Sequence, residues 1–363
     1  MARTLDIDQG AERDALRTLL WKAIQSANLN FIIGSGCSTP AIPPLGNIEK
    51  QVQAKLAANQ LDEADRILFD YLCPFIDSVE QLTGTIDEHH AGVLNDYGSF
   101  LGVIAEILFE RKNNILPKQA TIFTTNYDLF IEKASESFAG RLKLNDGFAR
   151  NPSLGSRFPF STGEFFNSVF NNGNLFNYRV ELPSVNLVKL HGSLSWASEE
   201  DNIVFSVAHL AGLKQEMAKT GRDGDIEAIR QLNGKFSVIL PNEEKFRDTL
   251  LKHFYYDLLR VYANELDKEN TLLIAEGFSF EDKHLLEITS RALRNPTLRL
   301  VVFSYRSDEV AHYAAKFASY GNVDIVHSES EEISFGTFVS ILRAALFLDK
   351  TQSEQPGEGT ADG

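Results

Sequence analysis

The sequence predicts a doubly wound α/β fold built on a parallel sheet. Short, continuous apolar runs recur along the chain, helical patterns separate many of them, and small-residue or polar turns follow several. Runs that are β-branched or aromatic and do not alternate fit strands covered on both faces. Helices between them favour crossover connections.

The elements follow in order. An opening helix over about residues 8–27 places Leu16, Leu19, Leu20 and Ile24 on one side. Strands are expected at 30–34, 120–124, 185–190, 236–240, 271–275, 298–303 and 323–326. Phe100, Ile104, Ile107 and Leu108 mark a helix over about 97–112, and a short helix is expected at 129–137. Asn242 reads as the N-cap of a helix at 243–266 that begins its buried face with Phe246, Leu250 and Leu251; Ser334 reads as the cap of the last helix, which carries Phe338, Ile341, Leu342 and Leu346. All these stripes read as core. Residues 145–184, with Phe148, Phe158, Phe160, Phe165, Phe166, Phe170 and Phe176, read as a folded insertion or lid, with an interaction surface as the alternative. Residues 213–235 form a polar helical insertion broken at 221–225. The expected organisation is an N-terminal helix at 1–28, a nucleotide-binding domain at 29–348 with insertions near 50–115, 145–184 and 208–235, and a disordered tail at 349–363.

Composition narrows the function. At 363 residues, 43% of them hydrophobic, the chain can bury a sizeable core. The net charge of −15 and the lack of a Lys/Arg run argue against a nucleic-acid surface. The 2 cysteines, Cys37 and Cys73, supply neither a disulfide framework nor a four-cysteine zinc site, so no metal is expected. No membrane-length apolar run and no signal-like start is visible, so a soluble, cytoplasmic protein is expected.

Chemistry concentrates at three strand ends. The run ending at Ile33 leads into Gly34-Ser35-Gly36-Cys37-Ser38, a turn suited to presenting backbone N–H groups to a pyrophosphate, with Ser38 as a hydroxyl donor. Thr39 stands where a third glycine of G-x-G-x-x-G would be, and no phosphate loop of the GxxxxGK[ST] kind is present. Glycines at 34 and 36 would permit positive φ and a close phosphate approach. The second strand end carries Thr125-Asn126-Tyr127-Asp128. Asp128 reads as a helix cap, whereas the Asn126 carboxamide suits a ribose hydroxyl or a water. The third carries His191-Gly192, a ring at a strand end able to exchange a proton near neutral pH; on its own this position reads as structural before catalytic. Gly277-Phe278-Ser279 is a further glycine turn, and the nearby Asp282 and His284 read as a helix cap and a surface residue.

Taken in order, these motifs resemble the sirtuin family. Gly34–Ser38 with Ile42-Pro43 is similar to its Gly-Ala-Gly-x-Ser…Gly-Ile-Pro loop, Thr125-Asn126-Tyr127-Asp128 to its Gln-Asn-x-Asp signature, His191-Gly192 to its His-Gly, and Gly277-Phe278-Ser279 to its Gly-Thr-Ser loop. The resemblance implies a Rossmann-like domain that takes NAD as substrate. It implies Asn126 and His191 as catalytic residues, with Gly34, Ser35, Gly36, Cys37, Ser38, Pro43, Thr125, Asp128, Gly277, Phe278 and Ser279 lining the NAD site. The family's zinc module and acyl-lysine segment are missing. The wording Thr-Thr-Asn-Tyr-Asp and Leu-His-Gly-Ser resembles the divergent prokaryotic branch of NAD-consuming anti-phage effectors. That branch implies an NAD glycohydrolase, homo-oligomers and, in some members, a HerA-type ATPase partner. An NAD or ADP-ribose sensor without turnover, and an NAD-dependent deacylase or ADP-ribosyltransferase, are the alternatives.

Overall fold

A computed structural model of the protein describes residues 1–43, 46–111, 115–150, 158–173, 178–199, 202–236, 238 and 253–346. Its centre is an 8-stranded sheet. In chain order the strands are β1 (Arg3–Asp6), β2 (Asn28–Ile33), β3 (Gln119–Thr124), β4 (Lys143–Asn145), β5 (Ser184–Lys189), β6 (Thr271–Glu276), β7 (Leu298–Phe303) and β8 (Val323–His327). They lie side by side as β1-β8-β7-β6-β2-β3-β5-β4, every neighbouring pair parallel.

Alternation along these strands feeds two cores, one on each face. In β2, Leu29, Phe31 and Ile33 face one cluster and Ile32 the other; in β6, Leu272 and Ile274 face the first, and Leu273 and Ala275 the second. Helices α1 (Gly10–Ser26), α4 (Glu88–Glu110) and α11 (Phe335–Leu346) cover the first face, where Phe100 meets Phe31 edge-on at 5.1 Å. Helices α8 (His253–Leu266) and α9 (Lys283–Ala292) cover the second, with Tyr262 against Phe123 at 4.8 Å. Covering both faces of a parallel sheet is what makes its interior strands read as unbroken apolar runs.

Strand order reverses beside β2. From β2 the chain steps to β3 on one side, and it later returns through β6 on the other. A crevice at the carboxyl ends of strands flanking such a reversal is where ligands bind in open α/β sheets.

Several expectations are revised. Strands β1 and β4 lie at the edges, are short and half-exposed, and carry no apolar run. Helix α4 starts well before residue 97, because Asp87 caps it by accepting the His90 amide at 2.9 Å. Of the strand expected at 236–240, Val238 forms an isolated antiparallel bridge with Gly192, outside the large sheet, and 237, 239 and 240 lie outside the described residues. Asn242, Phe246, Leu250, Leu251 and Phe176 also lie outside them, as does the expected tail. Ser334 does cap α11, accepting the Thr337 amide at 3.2 Å. Helix α4 is also long and apolar enough to cross a membrane. Its Tyr97, Phe100, Leu101, Ile104, Ile107 and Leu108 are wholly buried in the first core, as in a core helix.

The described parts of the insertions are folded. Phe148, Phe160 and Phe165 gather with Trp196 and with Phe254 and Tyr255 of α8 in the second core. Beyond them a two-stranded hairpin, Val169–Gly173 with Tyr178–Leu182, stands in solvent. On the opposite side, α3 (Leu61–Thr83) packs against α6 (Ala208–Thr220) and α7 (Ile226–Gly234). Lys214 pairs with Asp77 at 2.7 Å and Arg230 with Asp65 at 2.8 Å across that contact. Gly221, at φ +65°, makes the expected break between α6 and α7.

Candidate active site at the strand reversal

The turns after β2 and β6 are fitted back to back. The Gly34 amide donates to the Glu276 carbonyl at 3.0 Å and the Gly36 amide to the Gly277 carbonyl at 3.2 Å. A Cβ on Gly34 would stand 2.1 Å from the Gly277 oxygen, and one on Gly277 would stand 2.8 Å from the Cys37 amide nitrogen. Glycine is therefore required here for backbone-to-backbone approach. Left-handed geometry belongs to Gly277 (φ +62°), not to Gly34, whose φ is −104°. The expectation of positive φ at 34 and 36 is corrected accordingly: what comes close to them is the neighbouring turn.

A buried polar network grows from this joint. At the end of β3, Thr124 donates its hydroxyl to the Ile33 carbonyl at 2.8 Å and accepts the Asn126 amide at 3.0 Å. Asn126 then donates Nδ2 to the Gly34 carbonyl at 3.0 Å and to Ser38 Oγ at 3.2 Å. Ser38 in turn donates to Asp128 Oδ2 at 2.8 Å and lies 3.0 Å from the Tyr97 hydroxyl. With Nδ2 also 3.5 Å from the Tyr97 hydroxyl, all of its contacts are with oxygens, and the carboxamide has a fixed orientation. Its Oδ1 is buried and has no partner among the described residues. A buried acceptor left open costs about 1–3 kcal/mol and calls for an explanation.

Asn126 and Asp128 line a narrow cleft, about 10 Å³ in volume, together with Ser35, Ser38, Pro43 and Phe75. Phe75 comes from α3, so the helical insertion forms one wall.

Carboxyl groups around the network are held toward their neutral forms. Burial raises the Asp128 carboxyl, opposed by the Lys189 charge and the Ser38 hydrogen bond. Burial alone drives Glu276 well above the usual carboxyl range, and its Oε2 has no partner among the described residues. Burial, with Glu276 and Asp128 nearby, pushes the Cys37 thiol well up, so Cys37 is a neutral thiol donating to the Glu276 carbonyl at 3.4 Å. Lys189, the buried cation at the end of β5, is occupied: it pairs with Glu132 at 2.8 Å, donates to Ser193 Oγ at 3.1 Å and also donates to the Asp128 carbonyl.

His191 lies just past the end of β5: Thr124 and Lys189 are register partners, and Asn126 and His191 each come two residues after them, but His191 is not among the residues that line the cleft. Gly192 at φ +88° turns the chain immediately after the histidine. The ring is mostly buried, and its Nε2 lies 2.9 Å from Asp282 Oδ2. Burial would raise the Asp282 carboxyl, but His191 and the Leu285 amide outweigh it and bring it down to about 2. Asp282 does cap α9, as expected, accepting the Leu285 amide at 2.9 Å. Its contact with His191 is an addition that no local pattern announces.

The remaining expected residues spread around this centre. Thr125 is buried beside Asn126. The Phe278 ring turns into the second core against Phe280, and Ser279 is exposed. Tyr97, Lys189, Glu276 and Asp282 are the residues sequence reasoning missed. Tyr97 stood on an apolar helical stripe and Lys189 and Glu276 closed apolar runs, so only their tertiary contacts identify them.

A family model for the SIR2-like domain matches residues 120–325, more than half of the chain, and spans Asn126, His191, Gly277 and Asp282. No curated protein sequence matches the chain. The parallel sheet, the crevice at its reversal and this match agree: the chain belongs to the SIR2-like family, whose domains use NAD as substrate.

Proposed function

We propose that the protein is an NAD glycohydrolase that cleaves the nicotinamide–ribose bond to give nicotinamide and ADP-ribose. The observation that carries this reading is Asn126, a residue of the cleft lining whose carboxamide is fixed in direction and whose buried Oδ1 has no partner among the described residues. It is placed to accept a hydrogen bond from a ribose hydroxyl. Cleavage of such a bond passes through an oxocarbenium-like state, and nicotinamide departs from a cation without needing a strong acid. In this reading His191 takes the proton as water or a ribose hydroxyl attacks. Carboxyls kept neutral at Glu276 and raised at Asp128 lower the repulsion a pyrophosphate would meet beside the Gly34–Ser38 turn. The cleft volume of about 10 Å³ is room for little more than one water, far below the ~300–1,000 Å³ usual for small-molecule sites, so NAD entry requires a wall such as Phe75 to give way.

That closed cleft favours, as a second reading, an NAD or ADP-ribose sensor. Product analysis separates the two. Wild-type protein incubated with NAD, with and without an acetylated peptide, should release nicotinamide and ADP-ribose equally in both cases. Retained NAD binding with no products would leave the sensor, and products only with peptide would leave the deacylase. The resemblance adds an anti-phage role, self-assembly and control by a HerA-type ATPase, the last consistent with the need to restrain an enzyme that consumes NAD.

A further inference from the structure

We infer that Asp282 is the positioning residue for His191, deciding which ring nitrogen is presented to the substrate; this rests on the reading of His191 as the proton acceptor. The contact is not a local one. β5 and β6 are separated in the sheet by β2 and β3, so the segments carrying His191 and Asp282 reach toward each other across the carboxyl ends of the strands that form the crevice. Asp282 is itself held: one oxygen meets His191 at 2.9 Å, and the other accepts the Leu285 amide in the first turn of α9 at 2.9 Å. The carboxylate therefore sits on a rigid element, and both side chains are largely shielded from solvent, 16% and 17% exposed.

The chemistry follows from the partner. An ionised carboxylate can only accept, so the His191 nitrogen facing it, Nε2, carries the hydrogen. Nδ1 is then the nitrogen with a free lone pair, the form a proton acceptor needs. When Nδ1 takes a proton, the adjacent negative charge stabilises the imidazolium that forms. A carboxamide in place of Asp282 keeps the helix cap, since Asn caps as well as Asp. It removes the charge and can donate to Nε2, which would favour the opposite tautomer.

The test uses the full chain with D282N and D282E, and reads both turnover and the ring. With NAD as substrate, D282N should lower kcat about 10- to 100-fold with KM within about threefold, and D282E should recover a measurable part of kcat. In protein labelled with ¹⁵N-histidine, the His191 signals, assigned by their loss in H191A, should show Nε2–H in the wild type and lose that preference in D282N. Unchanged or increased kcat in D282N, or an unchanged tautomer, would overturn the inference; an increase would mean that the pair restrains the histidine. If the wild type turns over no NAD, the functional reading fails on its own, and the tautomer measurement still decides whether Asp282 fixes the ring.

Discussion

Asn126 and His191 do not depend on the same supports. Asn126 is held by groups within hydrogen-bond reach on the β2 turn, the Gly34 carbonyl and Ser38, whereas His191 is held by a carboxylate from beyond β6. Replacing Asn126 by Asp would set a carboxylate oxygen against the Gly34 carbonyl, so N126D should lose about 1–3 kcal/mol of stability in urea unfolding, more than N126A, which leaves no oxygen facing that carbonyl. Asp282 makes a pH prediction. Its folded carboxyl titrates at about 2, below the ~3.9 of an unfolded Asp, so its contribution to stability is present above about pH 4 and is lost as pH falls through about 2. The stability gap between wild type and D282N should therefore narrow between pH 5 and pH 3 when both are unfolded by denaturant. A gap that widened over that range would contradict the assignment.

At the scale of elements, the joint between the β2 and β6 turns and the pair between β5 and α5 (Phe130–Ser135) carry the site. G277A places a Cβ in left-handed backbone 2.8 Å from the Cys37 amide, and should lower stability by about 1–3 kcal/mol and weaken NAD binding together. Calorimetry of the same samples would check both. Lys189 and Glu132 are buried as a pair, so K189M, which strands the carboxylate, should cost about 3–5 kcal/mol in denaturant unfolding, and adding E132Q should return part of it. These elements also show what a sequence can carry. Interior strands β2, β3 and β5 to β8 were legible because burial on both faces writes an apolar run, and the three motifs were legible because each ends such a run. Edge strands β1 and β4 write no run. Tyr97, Lys189 and Asp282 act through partners on other elements, His191 and Asp282 lying 91 residues apart, and local periodicity has no access to contacts of that range.

For the whole molecule, the sheet provides a rigid floor and the helical insertion a wall. Strand β6 is buried throughout, and β7 and β8 are buried but for Arg299 and His327, whereas α3 adds to its buried apolar contacts with α6 and α7 a set of partly exposed ion pairs, which are weak and screened by salt. NAD should therefore enter by moving α3. Hydrogen exchange with and without NAD should change in residues 35–43 and 68–79 and stay constant in β7 and β8. The central claim, that NAD is cleaved in the cleft between the β2 turn and Asn126, is tested most directly by nicotinamide release from wild type, N126A and H191A matched for thermal stability. Loss of about 100-fold or more in both variants is the predicted result. Full turnover in either one would contradict the account.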